Sequence, residues 1–114
     1  MTCTIWHNPR CSKSRQTLAL LEERGLDISI RRYLEDPPTE AELRELLGQL
    51  GRPVLDLVRR GEARFKELGL TRDAEEDALI AAIAANPILL ERPIVVLAGR
   101  AAIGRPPEAV LEIL

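Results

Sequence analysis

Two cysteines, one histidine and two lysines are all that this chain of 114 residues has of each. That is too few metal-binding side chains for a four-ligand structural zinc site, and no metal or bound cofactor is expected. Cys3 and Cys11 make no disulfide framework, and in a reducing compartment they read as free thiols. No apolar run approaches the ~20 residues that a bilayer span needs, so no membrane insertion is expected. The first residues lack a basic stretch followed by an apolar core, so no leader is read and the expected location is the cytoplasm. A net charge of -2 gives no basis for general nucleic-acid binding. There is no internal repeat, low-complexity segment or linker. The length suits one domain over residues 1–114, and with no apolar interface stripe the expected state is a monomer.

What is present is a globular balance, 46% hydrophobic and 30% charged, enough apolar surface to offset chain entropy. All but two of the 16 basic residues are arginine, the exceptions being Lys13 and Lys66. Arginine offers a planar fork of donors that matches oxyanions.

Along the chain, residues 2–6 are β-branched and apolar and read as a strand. His7-Asn8-Pro9-Arg10 is a turn. From Cys11 the spacing becomes helical through Leu18 and Leu21, and Gly25 is a stop. Residues 27–33 alternate as a second strand. Thr39 and Glu42 form a capping box for a helix to about Leu50. A helix is expected from Pro53, with Val54, Leu55 and Val58 inward and a break at Gly61. Residues 62–68 make another turn or two, and 73–85 form a helix stopped by Asn86-Pro87. Residues 93–97 read as a buried strand, 98–100 as a tight turn, and 101–103 as a short strand. Pro106 and Pro107 open a last helix to Leu114. The order is β-α-β, a helical insert over about 39–90, then β-β-α. This is an α/β fold with a mixed four-stranded sheet and a right-handed first crossover.

Cys11 stands where a strand has ended and a helix begins. An ordinary thiol, with a pKa near ~8.5, is only about 3% thiolate at neutral pH. Unpaired N–H groups at a helix start favour the anion, as does a neighbouring cation, and Arg10 is adjacent. A fall of about two pH units would make roughly three quarters of it thiolate. Ser12 and Ser14 add hydroxyl donors on the same turn. The same N–H cluster binds oxyanions. A packing cysteine would have apolar neighbours, and Cys11 does not. Cys3, inside a strand, reads as core.

The missing partner of Cys11 is informative. Ser14 occupies the position that a dithiol oxidoreductase fills with its second cysteine. Cys3 is a poor substitute, because each strand residue adds about 3.3 Å and a disulfide needs Cα atoms within ~7 Å. An external thiol such as glutathione must finish any redox cycle. A phosphatase-type Cys-x5-Arg loop is absent, since Thr17 stands where the arginine would be. A Walker-type loop is absent as well.

The segment His7-Asn8-Pro9-Arg10-Cys11-Ser12-Lys13-Ser14-Arg15 resembles the active-site stretch of the ArsC-type arsenate reductases linked to glutathione and glutaredoxin. The likeness continues at Tyr33-Leu34-Glu35-Asp36-Pro37-Pro38, Leu57-Val58-Arg59-Arg60 and Glu67-Leu68-Gly69-Leu70. Asn86 to Val96 and Gly104-Arg105-Pro106-Pro107-Glu108 complete it in order. The resemblance implies a thioredoxin-like fold with a cis peptide before Pro93. It implies that Cys11 attacks arsenate while Arg59, Arg92 and Arg105 hold the oxyanion, with His7 and Ser14 supporting. Glutathione and glutaredoxin would then complete reduction to arsenite. By their own properties those arginines read as a helix charge, a helix-end charge and a loop charge. His7 is balanced between turn and site, Lys13 and Arg15 read as solvated, and Asn8 as turn-forming. Two other functions fit the same core: a monothiol oxidoreductase acting on glutathione mixed disulfides, and a thiol-sensing regulator that binds RNA polymerase. The latter typically carries Cys-x-x-Cys, which this chain lacks.

Overall fold

The computed structural model describes residues 2–114. The chain forms two compact units, one of residues 2–36 with Arg92–Leu114 and one of Pro37–Glu91.

The first unit holds a four-stranded sheet in the order β2-β1-β3-β4. The strands are β1 (Thr2–Trp6), β2 (Asp27–Arg31), β3 (Ile94–Leu97) and β4 (Arg100–Ile103). β1 runs parallel to β2 and antiparallel to β3, and β3 and β4 form a hairpin. The sheet is therefore mixed, as the order of elements implies. The crossover between β1 and β2 is α1 (Ser12–Glu23), which ends at Gly25 with φ +68. That left-handed conformation suits a residue without a Cβ.

One face of the sheet packs on α1 and on a closing 3-10 helix, Pro107–Ile113. Cys3, Ile5, Leu21, Val95, Val110 and Ile113 form the buried core there. Alternation along β1 decides which side chains reach it: Cys3 and Ile5 point in, and Trp6 faces the other way. The guanidinium of Arg31 lies over the Trp6 ring at 5.0 Å.

In the second unit, α2 (Glu40–Leu50) opens with the expected capping box. Thr39 Oγ1 accepts from the Glu42 N–H at 3.1 Å, and the Thr39 N–H donates to Glu42 Oε1 at 3.0 Å. α3 (Ala63–Glu67) is a short turn of helix. α4 (Glu76–Ala85) contacts α2, and Leu43, Leu46, Leu79, Ile80 and Ile83 are buried.

Four elements differ from the sequence reading. β2 stops at Arg31 because the Arg32 carbonyl accepts from the N–H groups of Glu35 and Asp36, starting a turn. The segment after Pro53 is a 3-10 helix of four residues, Val54–Leu57. Its three-residue period turns Leu57 inward rather than Leu55, and Val58 is extended to bridge Leu90. α4 starts at Glu76 rather than 73, because the Thr71 hydroxyl and carbonyl hold the N–H groups of Asp73 and Ala74 in a turn. The last helix is 3-10 rather than α: over so few residues the i→i+3 pattern closes one more bond than i→i+4. The Arg92–Pro93 peptide is cis, as expected, and so is Arg105–Pro106.

Candidate active site

Asn8 builds the turn that delivers Cys11. Its side-chain oxygen accepts from the Arg10 N–H and its carbonyl from the Cys11 N–H, each at 3.0 Å. Cys11 is left in extended conformation as the N-cap of α1, while its carbonyl already accepts from the Arg15 N–H. The backbone N–H groups of Lys13 and Ser14, at the open end of α1, favour the thiolate, although Cys11 closes no side-chain capping hydrogen bond with them. These are donors that a helix start cannot pair within itself.

Two arginines from the far end of the chain complete the electrostatics. Arg105 Nη2 lies 3.5 Å from Cys11 Sγ, and Arg105 Nε donates to the Arg92 carbonyl at 2.7 Å. Partial burial on its own raises the Cys11 pKa. The Ser14 N–H, the Arg92 cation, the Lys13 N–H and the Arg105 cation together outweigh it and bring the thiol below its ordinary value. Arg10, the cation adjacent in sequence, is exposed and takes no part in this balance.

The Ser14 hydroxyl is engaged elsewhere. It lies 2.6 Å from His7 Nδ1, in the interior, and accepts from the Asn8 N–H at 3.0 Å. So Ser14 serves Cys11 through its backbone and His7 through its side chain. Burial lowers the His7 pKa, and the cations of Arg32 and Arg15 lower it further, so the ring is neutral at neutral pH. Nothing in the sequence pattern singles out Arg32 as a neighbour of His7; it arrives there because β2 pairs with β1, and the His7 N–H continues that pairing to the Arg31 carbonyl. Arg15 donates to the Pro9 carbonyl at 3.0 Å and is exposed, in keeping with a solvated residue.

Cys11, Arg92, Arg105, His7 and Ser14 all belong to the first unit. Arg59 belongs to the second, where its guanidinium pairs with Glu62 at 3.0 Å and lies 3.4 Å from the Ile88 carbonyl. Cys3 is fully buried in the core, and burial pushes its thiol up. Both cysteines are free. Among the described residues, no group of three or more His, Cys, Asp and Glu side chains is placed to hold a metal, and no helix is long and apolar enough to cross a membrane.

Such an arrangement joins a nucleophilic thiolate to guanidinium forks and backbone donors. It can attack an electrophilic centre whose oxygens carry negative charge, because attacker and oxyanion are stabilised by the same groups.

Residues 6–113 match the model of the ArsC family. The uncharacterised protein YfgD of Escherichia coli strain K12 is 54% identical, the match covering 96% of this chain and 94% of that one. A protein of Neisseria meningitidis serogroup A named arsenate reductase is 47% identical, with 96% of each covered. The solved structure of an arsenate reductase from Vibrio cholerae superposes with a TM-score of 0.95 at 52% identity, covering 100% of this chain and 98% of that one.

Proposed function

The chain belongs to the ArsC family of thioredoxin-like fold, and from that membership and the Cys11 site we propose that it is an arsenate reductase drawing its electrons from glutathione and glutaredoxin. The observation that carries the reading is the placement of Arg105 Nη2 at 3.5 Å from Cys11 Sγ, with the Arg92 charge beside it. A thiol so placed is both a nucleophile and the neighbour of an oxyanion cradle.

Arsenate is largely dianionic at neutral pH, and Arg92 and Arg105 offset that charge. The Cys11 thiolate attacks arsenic. An As–S bond forms, and one oxygen leaves as water after taking up protons. The glutathione thiolate then attacks the Cys11 sulfur. The S–As bond breaks with its electron pair going to arsenic, which falls from As(V) to As(III) and leaves as arsenite. Cys11 remains as a mixed disulfide with glutathione. A glutaredoxin thiolate takes the glutathione sulfur and releases the Cys11 thiolate. Ser14 in place of a second cysteine supports this use of external thiols, since no neighbouring thiol can resolve the intermediate. His7 orders the turn through Ser14. The enzyme works in the cytoplasm, as a monomer and without a bound cofactor.

The test is a coupled assay with glutathione, glutaredoxin, glutathione reductase and NADPH. Arsenate-dependent NADPH oxidation is expected in the wild type and absent in Cys11→Ser. Consumption of a glutathione mixed disulfide with no response to arsenate would instead make the chain a monothiol oxidoreductase. Inactivity in both assays, with retention on RNA polymerase, would make it a regulator.

A further inference from the structure

The end of β4 lies closer to its neighbours than a side chain allows. A Cβ at Gly104 would stand 2.6 Å from Thr17 Oγ1 and 2.7 Å from Pro93 Cγ, whereas at every other glycine it meets nothing within 4 Å. Neither neighbour yields easily. Thr17 is fully buried in α1 with its hydroxyl bonded to the Lys13 carbonyl at 2.8 Å, and Pro93 is a closed ring. The Gly104 N–H donates to the Pro93 carbonyl at 2.9 Å, which ties β4 to the same segment that carries Arg92. The next residue is Arg105, whose side chain bonds the Arg92 carbonyl and reaches Cys11 Sγ.

We propose that Gly104 is a positioning residue for Arg105: its missing side chain lets the end of β4 seat against Thr17 and Pro93, and that seat sets the reach of Arg105 to Cys11. The proposal rests on the reading of Cys11 and Arg105 as a thiolate and its partner. Non-bonded carbon needs ~3.5–4.0 Å, so an alanine methyl pushes the segment back by about 1 Å. The Nη2–Sγ distance is already 3.5 Å, and a retreat of that size takes the guanidinium out of hydrogen-bond reach.

The experiment uses the full chain as wild type, Gly104→Ala, Arg105→Ala and the double variant. The rate of Cys11 alkylation by iodoacetamide is followed against pH, the modified residue is located by mass spectrometry, and thermal unfolding shows that each variant is folded. The midpoint is expected to rise by about one pH unit in Arg105→Ala and similarly in Gly104→Ala, with no further rise in the double variant. An unmoved midpoint in a folded Gly104→Ala, or shifts that add in the double variant, would overturn the proposal. An unmoved midpoint in Arg105→Ala would overturn the underlying reading and the proposal with it. Should Gly104→Ala not fold, Thr17→Ala combined with Gly104→Ala removes one of the two clashes. Its midpoint is expected between those of wild type and Arg105→Ala, and a wild-type value there overturns the proposal. No arsenate enters these measurements, so a chain inactive on arsenate leaves them decisive.

Discussion

His7 Nδ1 and Ser14 Oγ lie 2.6 Å apart in the interior of the first unit, and the backbone N–H of the same Ser14 helps to lower the Cys11 pKa. One residue thus joins a titrating ring to the reactive thiol, through two different groups.

The His7 ring is held neutral by burial and by the Arg32 and Arg15 charges. Its folded pKa lies below the unfolded value of ~6.5, so in acid the unfolded chain binds the proton more readily. Stability is therefore expected to fall as pH drops below about 6.5 and to be unaffected by this group above it. His7→Asn removes the proton site while keeping a polar group toward Ser14. Denaturant midpoints measured from pH 8 to pH 5 should slope downward in the wild type and be flatter in the variant. Parallel slopes would show that His7 does not set the acid limb.

Ser14→Ala separates the two roles of Ser14. It leaves the buried His7 nitrogen and the Asn8 N–H without their partner, a loss of about 1–3 kcal/mol. The backbone N–H that faces Cys11 is kept. The expected result is a less stable protein whose Cys11 still titrates near the wild-type value. A large upward move of the Cys11 midpoint, read by alkylation against pH, would mean that the hydroxyl and not the backbone holds the thiolate.

That division was not visible in the residue order. Local signals marked the architecture well: β-branched residues for β1, Thr39 with Glu42 for α2, Asn86-Pro87 for the end of α4. Each acts over a few residues, so short-range patterning reports it. The site draws on contacts of long range. Arg105 stands 94 residues from Cys11 in the chain, and its own surroundings read as a loop; only the ordered family motifs connect the two. Arg10, next in sequence, points away because an N-cap residue is extended and its neighbour faces solvent. The hydroxyl of Ser14 is likewise diverted by His7, which the strand-to-turn geometry brings beside it.

The two cysteines carry opposite assignments, and Cys3→Ala tests them. Cys3 is fully buried among Ile5, Leu21, Val95, Val110 and Ile113, so truncation leaves a small void and is expected to cost about 1–2 kcal/mol. Alkylation of Cys11 should be unchanged. Burial raises the Cys3 pKa, so above the unfolded value of ~8.5 the folded chain holds its proton more tightly than the unfolded chain. Stability then falls as pH rises past that point, and Cys3→Ala should lessen the fall. Denaturation between pH 8 and pH 10 provides the comparison, and an identical decline in both proteins would assign it to other groups.

The β3–β4 hairpin offers a prediction in the stabilising direction. Leu97 pairs with Arg100, so the turn has two central residues, Ala98 and Gly99, with φ +53 and +76. Positive φ at both positions is what a tight hairpin with right-handed twist requires. Gly99 meets it freely, but at Ala98 the Cβ crowds the following carbonyl at a cost of roughly 1–2 kcal/mol. Ala98→Gly removes that crowding and adds freedom to the unfolded chain, which costs about 0.4–1 kcal/mol in return. The difference favours the variant by up to about 1.6 kcal/mol, because here the native conformation penalises the side chain more than the unfolded state rewards its loss. Ala98→Pro should act oppositely and more strongly, since the ring holds φ near −65°. Denaturant midpoints of the three proteins should rank glycine above wild type and proline lowest; a glycine variant less stable than wild type would mean that the turn carries no strain at Ala98.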